Sequence, residues 1–434
     1  MKIIQITPGS GNSFYCENCL RDQALVKTLR AQGHHLVMVP LYLPLQIESP
    51  ETITDVPIFF GGVNVYLQQK LGLFRKTPRW VDQLFDSPSL LSWVSHKAGM
   101  TSARDLGETT LSMLKGQRGH QVKELDRLVD WLARNMERPD VVILSNVLLS
   151  GLAASLKQRL GVPVVCLLQD EEAFVDGLDG YYAEAAWGLL QGCAPDISAF
   201  VAVSRSYGKR IAPRLGLDEN RLHTLYLGID MEAYQPAPSP PDGPTIGFLS
   251  RACPQRGFET LVEAFILLKR IPALSSCQLQ ITGGKSQADE PFLRRIRRRL
   301  VKAEVAEDVS FSPEFSRERR RHWLNGLTVM CIPEQEEVAY GLPAMEAMAS
   351  GVPVVLPRIG VFPELLALTS GGVLVEENSP RAFAEALEPL LLDPAAAHEL
   401  GKQGRAGMKQ HFDIERTAVE LVALLEKIVE GNTA

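Results

Sequence analysis

The chain has 434 residues, of which 45% are hydrophobic and 22% charged, and its formal net charge is -6. At about 150 residues per domain, this length predicts two or three domains with a hydrophobic core each, and two is the simplest interpretation. The composition excludes a disordered or fibrous chain, and the slight negative charge excludes a general attraction to nucleic acid or acidic membranes.

The first residues, MKIIQITPG, enter a short apolar run without the long hydrophobic segment of a secretory signal, which predicts a cytoplasmic protein. Seven cysteines, an odd number, favour reduced thiols over a disulfide framework. The longest apolar stretch, VVILSNVLLSGLAASL from Val141, is interrupted by Ser and Asn and is short for a membrane span. We interpret it as a strand followed by a helix.

Short apolar runs alternate with helical patterns through the first half of the chain. Such runs are typical of buried parallel strands covered by helices, and they read KIIQIT, HHLVMVPLY, DVVILS, PVVCLLQ and AFVAVS. Residues 65–135 break this alternation with a long helical stretch. The sequence therefore predicts a first α/β domain over residues 1–235 with a helical insertion at about 65–135.

A loop with two glycines, ITPGSGNSF, follows the first predicted strand. Gly9 and Gly11 permit close approach of a ligand to the backbone. A dinucleotide fingerprint would need a further glycine where Phe14 stands, which disfavours a nicotinamide oxidoreductase. Two interpretations stay open, a ligand-binding loop and a turn that needs glycine only for its geometry.

Cys16 and Cys19 have the CxxC spacing of metal and redox sites. No second CxxC and no nearby pair of histidines completes a zinc site, so the sequence predicts no metal. We favour a loop that lines a ligand pocket for this segment.

A proline-rich segment, PAPSPPDGP at residues 236–244, separates the two periodic halves. It is too stiff and too poor in N–H donors to continue a sheet, so we predict the domain joint there. The apolar runs then restart as TIGFLS, QLQITGG, VSFS, LTVMCIP and PVVLP, which predicts a second α/β domain over residues 245–412. Two such domains are expected to face each other across a cleft at the carboxyl ends of their strands.

Two arginines flank the first loop of the second domain, LSRACPQRGFETLVEAF. The apolar spacing predicts a helix from about Gly257, with Arg251 just after the strand and Arg256 just before the helix. Guanidinium groups beside a helix N-terminus match the oxygens of a diphosphate. The alternative is a pair of solvated surface arginines.

The segment YGLPAMEAM predicts another helix start at Gly341 and Pro343, with Glu346 within the next turn or just beyond it. A carboxylate there can accept two hydrogen bonds from a vicinal diol such as a ribose, while the exposed backbone N–H groups face phosphate. The alternative is that Glu346 only complements the helix dipole.

The order and spacing of these segments resemble the retaining glycosyltransferases of family 4 over nearly the whole chain. In the donor half the resemblance rests on LSRACPQRGFETLVEAFILLKR, ITGG, IPEQEEVAYGLPAMEAMASGVPVV, GVFPEL and GGVLV, and before it on GSGNSF, VAVSRSYGKRI and LHTLYLGIDMEAYQP. The resemblance implies the GT-B fold, with two Rossmann-like domains, and a helix over residues 413–434 that packs back on the first domain. It also implies a nucleotide-diphosphosugar donor as substrate, held mainly by the second domain, with no separate cofactor.

The resemblance assigns roles to residues of the second domain. It places Arg251 and Arg256 at the diphosphate, the backbone of Gly341 and Leu342 near the pyrophosphate, and Glu346 at the ribose as the second acid of an E-x7-E motif. Val338 stands where the first acid of that motif is expected, and it is open whether the adjacent Glu337 replaces it.

In the first domain, many family members have a histidine after the strand that reads VVCLL here, and Gln169 or Asp170 stands there instead. Gln169 can donate and accept hydrogen bonds, and Asp170 or Glu171 can assist an acceptor hydroxyl, so Gln169 and Asp170 are the candidate catalytic residues. The alternative is that these acids cap a helix or are solvated.

The resemblance implies a metal-independent, retaining transfer to an acceptor hydroxyl of a sugar, a lipid-linked glycan or a small molecule. The rival interpretation is a non-catalytic nucleotide-sugar-binding protein or partner subunit that lost its chemistry at Val338. Basic runs from Arg294 and Arg317 are predicted to be solvated helix faces. A peripheral contact with the inner face of a membrane is the alternative for them, since many relatives modify lipid-linked acceptors.

Overall fold

The structure, a computed structural model, describes residues 1–8, 17–41, 59–60, 103–226, 228–284, 289–312 and 317–433. The chain divides into two units. The first consists of Met1–Val203, Tyr207–Leu225 and Ala418–Ala434, and the second of Ser204–Ser206 and Tyr226–Thr417.

The first unit contains a sheet of six parallel strands among the described residues, in the order β2-β1-β3-β4-β5-β6. The strands are β1 (Lys2–Thr7), β2 (His35–Pro40), β3 (Val141–Leu144), β4 (Val164–Leu168), β5 (Ala199–Ala202) and β6 (Leu222–Thr224). The central strands β3, β4 and β5 are buried along their whole length, which explains their unbroken apolar sequences.

Helices connect these strands in the described part of the chain. They are α1 (Glu17–Ala31), α2 (Ala103–Leu114), α3 (Val122–Asn135), α4 (Ala153–Leu160), α5 (Glu171–Asp176), α6 (Gly180–Cys193) and α7 (Arg205–Leu215). Helices α2 and α3 fall within the predicted insertion at 65–135, whose residues 65–102 lie outside the described ranges.

The second unit repeats the architecture, with a parallel sheet in the order β12-β11-β10-β7-β8-β9. The strands are β7 (Thr245–Leu249), β8 (Gln278–Thr282), β9 (Val309–Ser312), β10 (Val329–Cys331), β11 (Val354–Pro357) and β12 (Gly372–Val375). The helices are α8 (Phe258–Leu268), α9 (Glu290–Lys302), α10 (Arg317–Asn325), α11 (Leu342–Ala349), α12 (Phe362–Thr369), α13 (Pro380–Leu392) and α14 (Pro394–His411). The last helix, α15 (Ile414–Thr433), belongs to the first unit from Ala418 onward.

The predicted α/β class with parallel sheets is confirmed. The joint was predicted at residues 236–244, whereas the division between the units falls after Leu225. Residues just before the prolines pack with the second unit, because Ile229 forms a parallel bridge with Asp413 and the Tyr234 hydroxyl donates to Glu346. Within the described ranges, no helix is both long and apolar enough to span a bilayer.

In each sheet, later strands are added first on one side of the first strand and then on its other side. Strand β1 lies between β2 and β3, and strand β7 lies between β8 and β10. Loops that leave two such neighbouring strands in opposite directions open a crevice at their carboxyl ends, where ligands of doubly wound sheets bind. The loops after β7 and β10 are therefore the first place to look for a ligand site in the second unit.

Candidate functional site

Two helices begin at the crevice between β7 and β10, and a glycine in the left-handed conformation precedes each of them. Gly257 (φ 66°) follows the short 3₁₀ turn Pro254–Arg256 and leads into α8. Gly341 (φ 70°) leads into α11, whose first residue is Leu342 and which has Pro343 in its first turn, as predicted. The positive ends of two helix dipoles thus lie at the same edge of the sheet, which suits a negatively charged ligand.

The loops after β7 and β10 touch each other. A Cβ atom placed on Gly257 would lie 1.7 Å from the carbonyl oxygen of Pro333. The backbone N–H of Gln335 also donates to the carbonyl of Gln255, at 3.3 Å. Gly257 is therefore required both for its backbone conformation and for this close approach.

We expect the Gly257→Ala variant to lose more than about 2 kcal/mol of unfolding free energy. A left-handed conformation costs a residue with a side chain about 1–2 kcal/mol, and the loop must shift to accommodate the methyl group. Chemical denaturation measures the loss. Gly243→Ala is the matched control, because a Cβ there meets no atom within 4 Å; equal stability of the two variants would contradict the close approach.

Arg251 lies at the carboxyl end of β7 and forms a two-pronged ion pair with Asp289, just before α9. Its Nε and Nη2 atoms each lie 2.8 Å from a carboxylate oxygen. The hydrogen bonds that Arg251 donates to Asp289 raise the pKa of Arg251, whereas its partial burial lowers it. Asp289 is buried, but the Arg251 side chain is 52% exposed, so the guanidinium is held on one side and accessible on the other.

Arg256 has a corresponding partner on the neighbouring loop. Its Nη1 atom lies 3.0 Å from Oε1 of Glu334, which is buried, while the arginine side chain is 40% exposed. The amide of Asn378 donates to the backbone carbonyl of Glu334 at 2.8 Å and ties this loop to the one after β12. Sequence reasoning missed both acids, although Glu334 follows a buried strand and Asp289 begins a helix.

Glu346 lies in α11 and is buried, with a side-chain exposure of 2%. Its Oε1 atom accepts hydrogen bonds from the Tyr234 hydroxyl at 2.6 Å and from Nη2 of Arg320 at 2.9 Å. Burial is the main cause that raises the pKa of Tyr234. The ribose contact predicted for Glu346 stays a prediction. The sequence did not indicate that Tyr234 and Arg320 would be the hydrogen-bond partners of Glu346.

Arg320 corrects one sequence-based expectation. The basic run from Arg317 was predicted to be a solvated helix face, which is wrong at this position: the Arg320 side chain is only 3% exposed. It is buried because α10 brings its guanidinium to the carboxylate of Glu346. Charged groups are buried in proteins when they are paired in this way.

The position of the missing acid has a defined backbone role. The carbonyl of Val338 accepts a hydrogen bond from the N–H of Val361 at 3.1 Å, and Val338 is half-buried. Glu337 is exposed. Whether Glu337 replaces the missing acid, a question that the sequence left open, is not tested by these contacts.

In the first unit, Gln169 and Asp170 follow the carboxyl end of β4. Gln169 is buried and its side-chain amide donates to the carbonyl of Ser145, which follows β3. Asp170 has a left-handed backbone (φ 79°) and a side chain 30% exposed that lies 3.5 Å from Arg210. Burial raises the pKa of the neighbouring Glu171, and the hydrogen bond from Tyr207 partly offsets this rise.

The predicted loop glycines Gly9 and Gly11 lie outside the described residues, as do Cys16 and the side chain of Cys19. The expectations for these positions stay predictions. Among the residues that the structure does describe, no three His, Cys, Asp or Glu side chains gather as a metal site would require.

Comparison with known families agrees with this architecture. Residues 231–407 match the family described as Glycosyl transferases group 1, and residues 110–233 match Glycosyltransferase Family 4. The chain is 28% identical over 247 residues to a D-inositol 3-phosphate glycosyltransferase of Jonesia denitrificans. The aligned region covers 53% of this chain and 57% of the relative. The chain thus spans about half the length of several curated relatives that it matches.

Two solved structures share the fold over almost the full chain. Sucrose-phosphate synthase from Thermosynechococcus elongatus has a TM-score of 0.71 at 18% identity, with 99% of both chains covered. HepE of Anabaena, solved in complex with UDP, has a TM-score of 0.69 at 15% identity, with 98% of this chain and 100% of HepE covered. The predicted GT-B fold is confirmed.

Proposed function

Because the chain belongs to the group 1 glycosyltransferases, we propose that it transfers a sugar from a nucleotide-diphosphosugar to an acceptor hydroxyl. The observation that carries this proposal is the pair of partly exposed guanidinium groups, Arg251 and Arg256, beside two helix N-termini at the crevice of the second sheet. A diphosphate is the ligand that this arrangement of fixed positive charge suits best.

The buried acids make the arginine pair specific rather than merely basic. Asp289 and Glu334 each hold one guanidinium in a defined orientation, so less side-chain freedom is lost when phosphate oxygens bind to the exposed part of each guanidinium. The backbone of Gly341 and Leu342 would supply further N–H donors.

We propose a retaining, metal-independent reaction. The bond between the anomeric carbon and the leaving phosphate oxygen breaks, and a bond to the acceptor oxygen forms on the same face of the sugar. The acceptor proton passes to the leaving diphosphate, whose growing negative charge Arg251 and Arg256 stabilise. Such a reaction requires no protein nucleophile, so the valine at position 338 is compatible with it.

For the acceptor, we propose a hydroxyl on a sugar or polyol. The name of the matched relative, D-inositol 3-phosphate glycosyltransferase, supports an acceptor of this class. Gln169 and Asp170 at the end of β4 are the residues proposed to contact the acceptor or the transferred sugar, because one offers an amide and the other a partly exposed carboxylate.

A screen of UDP-, GDP- and ADP-sugars tests the proposed function. A ligand at 100 times its Kd raises the unfolding free energy by about 2.7 kcal/mol, so a thermal-shift assay should identify the donor. HepE was solved with UDP, which makes UDP-sugars the first choice. Release of nucleoside diphosphate from that donor then measures turnover, and the anomeric configuration of the product tests retention.

Three outcomes are informative. Release of nucleoside diphosphate that continues in the presence of EDTA supports the metal-independent enzyme. Binding without release supports a nucleotide-sugar-binding protein instead. A chain that is stabilised by none of these donors, and releases no nucleotide from them, contradicts the proposal.

A further inference from the structure

The carboxylate of Glu171 joins three segments of the first unit. Its Oε1 atom accepts from the backbone N–H of Val147 at 3.0 Å, just after β3. Its Oε2 atom accepts from the N–H of Gln169 at 2.7 Å and from the hydroxyl of Tyr207, on α7, at 2.6 Å. The tyrosine oxygen accepts in turn from the N–H of Glu171 at 3.0 Å, so the two residues bind each other twice.

Both side chains of this pair are enclosed, unlike the side chain of Asp170. Glu171 is 5% exposed and Tyr207 is fully buried. A carboxylate that already accepts three internal hydrogen bonds is poorly placed to contact a substrate as well. Asp170, one residue earlier, is the acid of this turn with a partly exposed side chain.

The residue between the tethered groups has an unfavourable backbone. Asp170 is one of three residues other than glycine with a positive φ in the described ranges. Such a conformation persists only where the surroundings impose it, and it is common at functional sites. Here the N–H of Gln169, which precedes Asp170, donates to the Glu171 carboxylate. The N–H of Glu171, which follows Asp170, donates to the Tyr207 hydroxyl.

We propose that Glu171 and Tyr207 are a positioning pair, which fixes the turn at Gln169 and Asp170 in the geometry that the transfer reaction needs. The proposal rests on the proposed function, and it assigns no substrate contact to the pair itself. It also assigns different roles to the two acids after β4: Asp170 contacts the substrate, and Glu171 holds the turn in place.

The test compares Glu171→Gln, Tyr207→Phe and the double variant, with donor cleavage as the assay. Each single variant is expected to lower kcat at least about tenfold with the KM for the donor within about twofold, because the donor is held by the second unit. The double variant is expected to be no slower than the slower single variant, since both changes release the same turn. Glu184→Gln, an identical change at an exposed position of α6, is the control and should keep the wild-type kcat.

Hydrogen exchange gives a second readout that does not depend on turnover. The amides of Val147 and Gln169 are expected to exchange at least about tenfold faster in Glu171→Gln than in Glu184→Gln. An unchanged kcat, fully multiplicative losses in the double variant, or unchanged exchange would each overturn the positioning role. If the wild-type protein itself cleaves no donor, the proposed function falls and the positioning role with it, and the exchange rates then show whether the pairing exists without the reaction.

Discussion

Replacing Arg320 with alanine is expected to lower the free energy of unfolding by about 3–5 kcal/mol. Arg320 and Glu346 are both nearly inaccessible to solvent, and the variant leaves the Glu346 carboxylate in the interior without its cation. The hydroxyl of Tyr234 remains as a partner, but a neutral donor compensates a buried charge less well than a guanidinium does. Denaturant unfolding, followed by circular dichroism, measures the loss.

Arg319→Ala is the matched control for this prediction. Arg319 precedes Arg320 on α10 and is exposed, so its removal should change stability by no more than about 0.5 kcal/mol. The double variant Arg320→Met, Glu346→Leu should be more stable than Arg320→Ala, because no unpaired charge remains in the interior. If Arg320→Ala were as stable as Arg319→Ala, the buried ion pair would not contribute in the way the structure indicates.

Replacing Arg256 with alanine is expected to lower kcat for donor cleavage by about 10²–10³, the typical cost of removing one preorganised group that stabilises a developing negative charge. Donor affinity should fall about tenfold or more, since a hydrogen bond to a charged group contributes about 1.5–3 kcal/mol. The larger loss in kcat follows because the charge on the leaving diphosphate grows as the glycosidic bond breaks. Calorimetry with the donor and steady-state release of nucleoside diphosphate measure the two effects.

Two further variants separate this effect from a general loss of charge or fold. Arg256→Lys keeps the positive charge but loses the planar fork that bonds Glu334 and phosphate together, so we expect an intermediate loss. Arg294→Ala removes one exposed positive charge from α9 and should leave both constants unchanged. Unchanged donor binding in Arg256→Ala by calorimetry would refute the diphosphate clamp.

Most strands of both sheets could be predicted from the sequence because buried parallel strands have continuous apolar sequences, whereas the edge strand β6, which reads LHT and is not buried, could not. PVVCLLQ became β4 and TIGFLS became β7, and each is buried along its whole length. The starts of α8 and α11 could also be predicted, because glycine before a helix and proline in its first turn are typical of helix N-termini. Gly257 and Gly341 both have the left-handed conformation that precedes a helix.

The partners of the site residues depend on contacts between distant segments. Arg256 and Glu334 are 78 residues apart, and Tyr234 and Glu346 are 112 residues apart. A single sequence does not specify which loops the sheet order brings together, so it identifies the arginines but not the acids that orient them.

Local composition and spacing were thus sufficient for the α/β class, the helix starts and the positions of Arg251 and Arg256 on either side of the loop after β7. Only the tertiary structure decided that Arg320 is buried although its run looks solvated, and that Glu171 is buried whereas Asp170 is partly exposed. The physical reason is that apolar burial is encoded in the pattern of neighbouring residues, whereas the environment of a charge depends on which distant group the fold places against it.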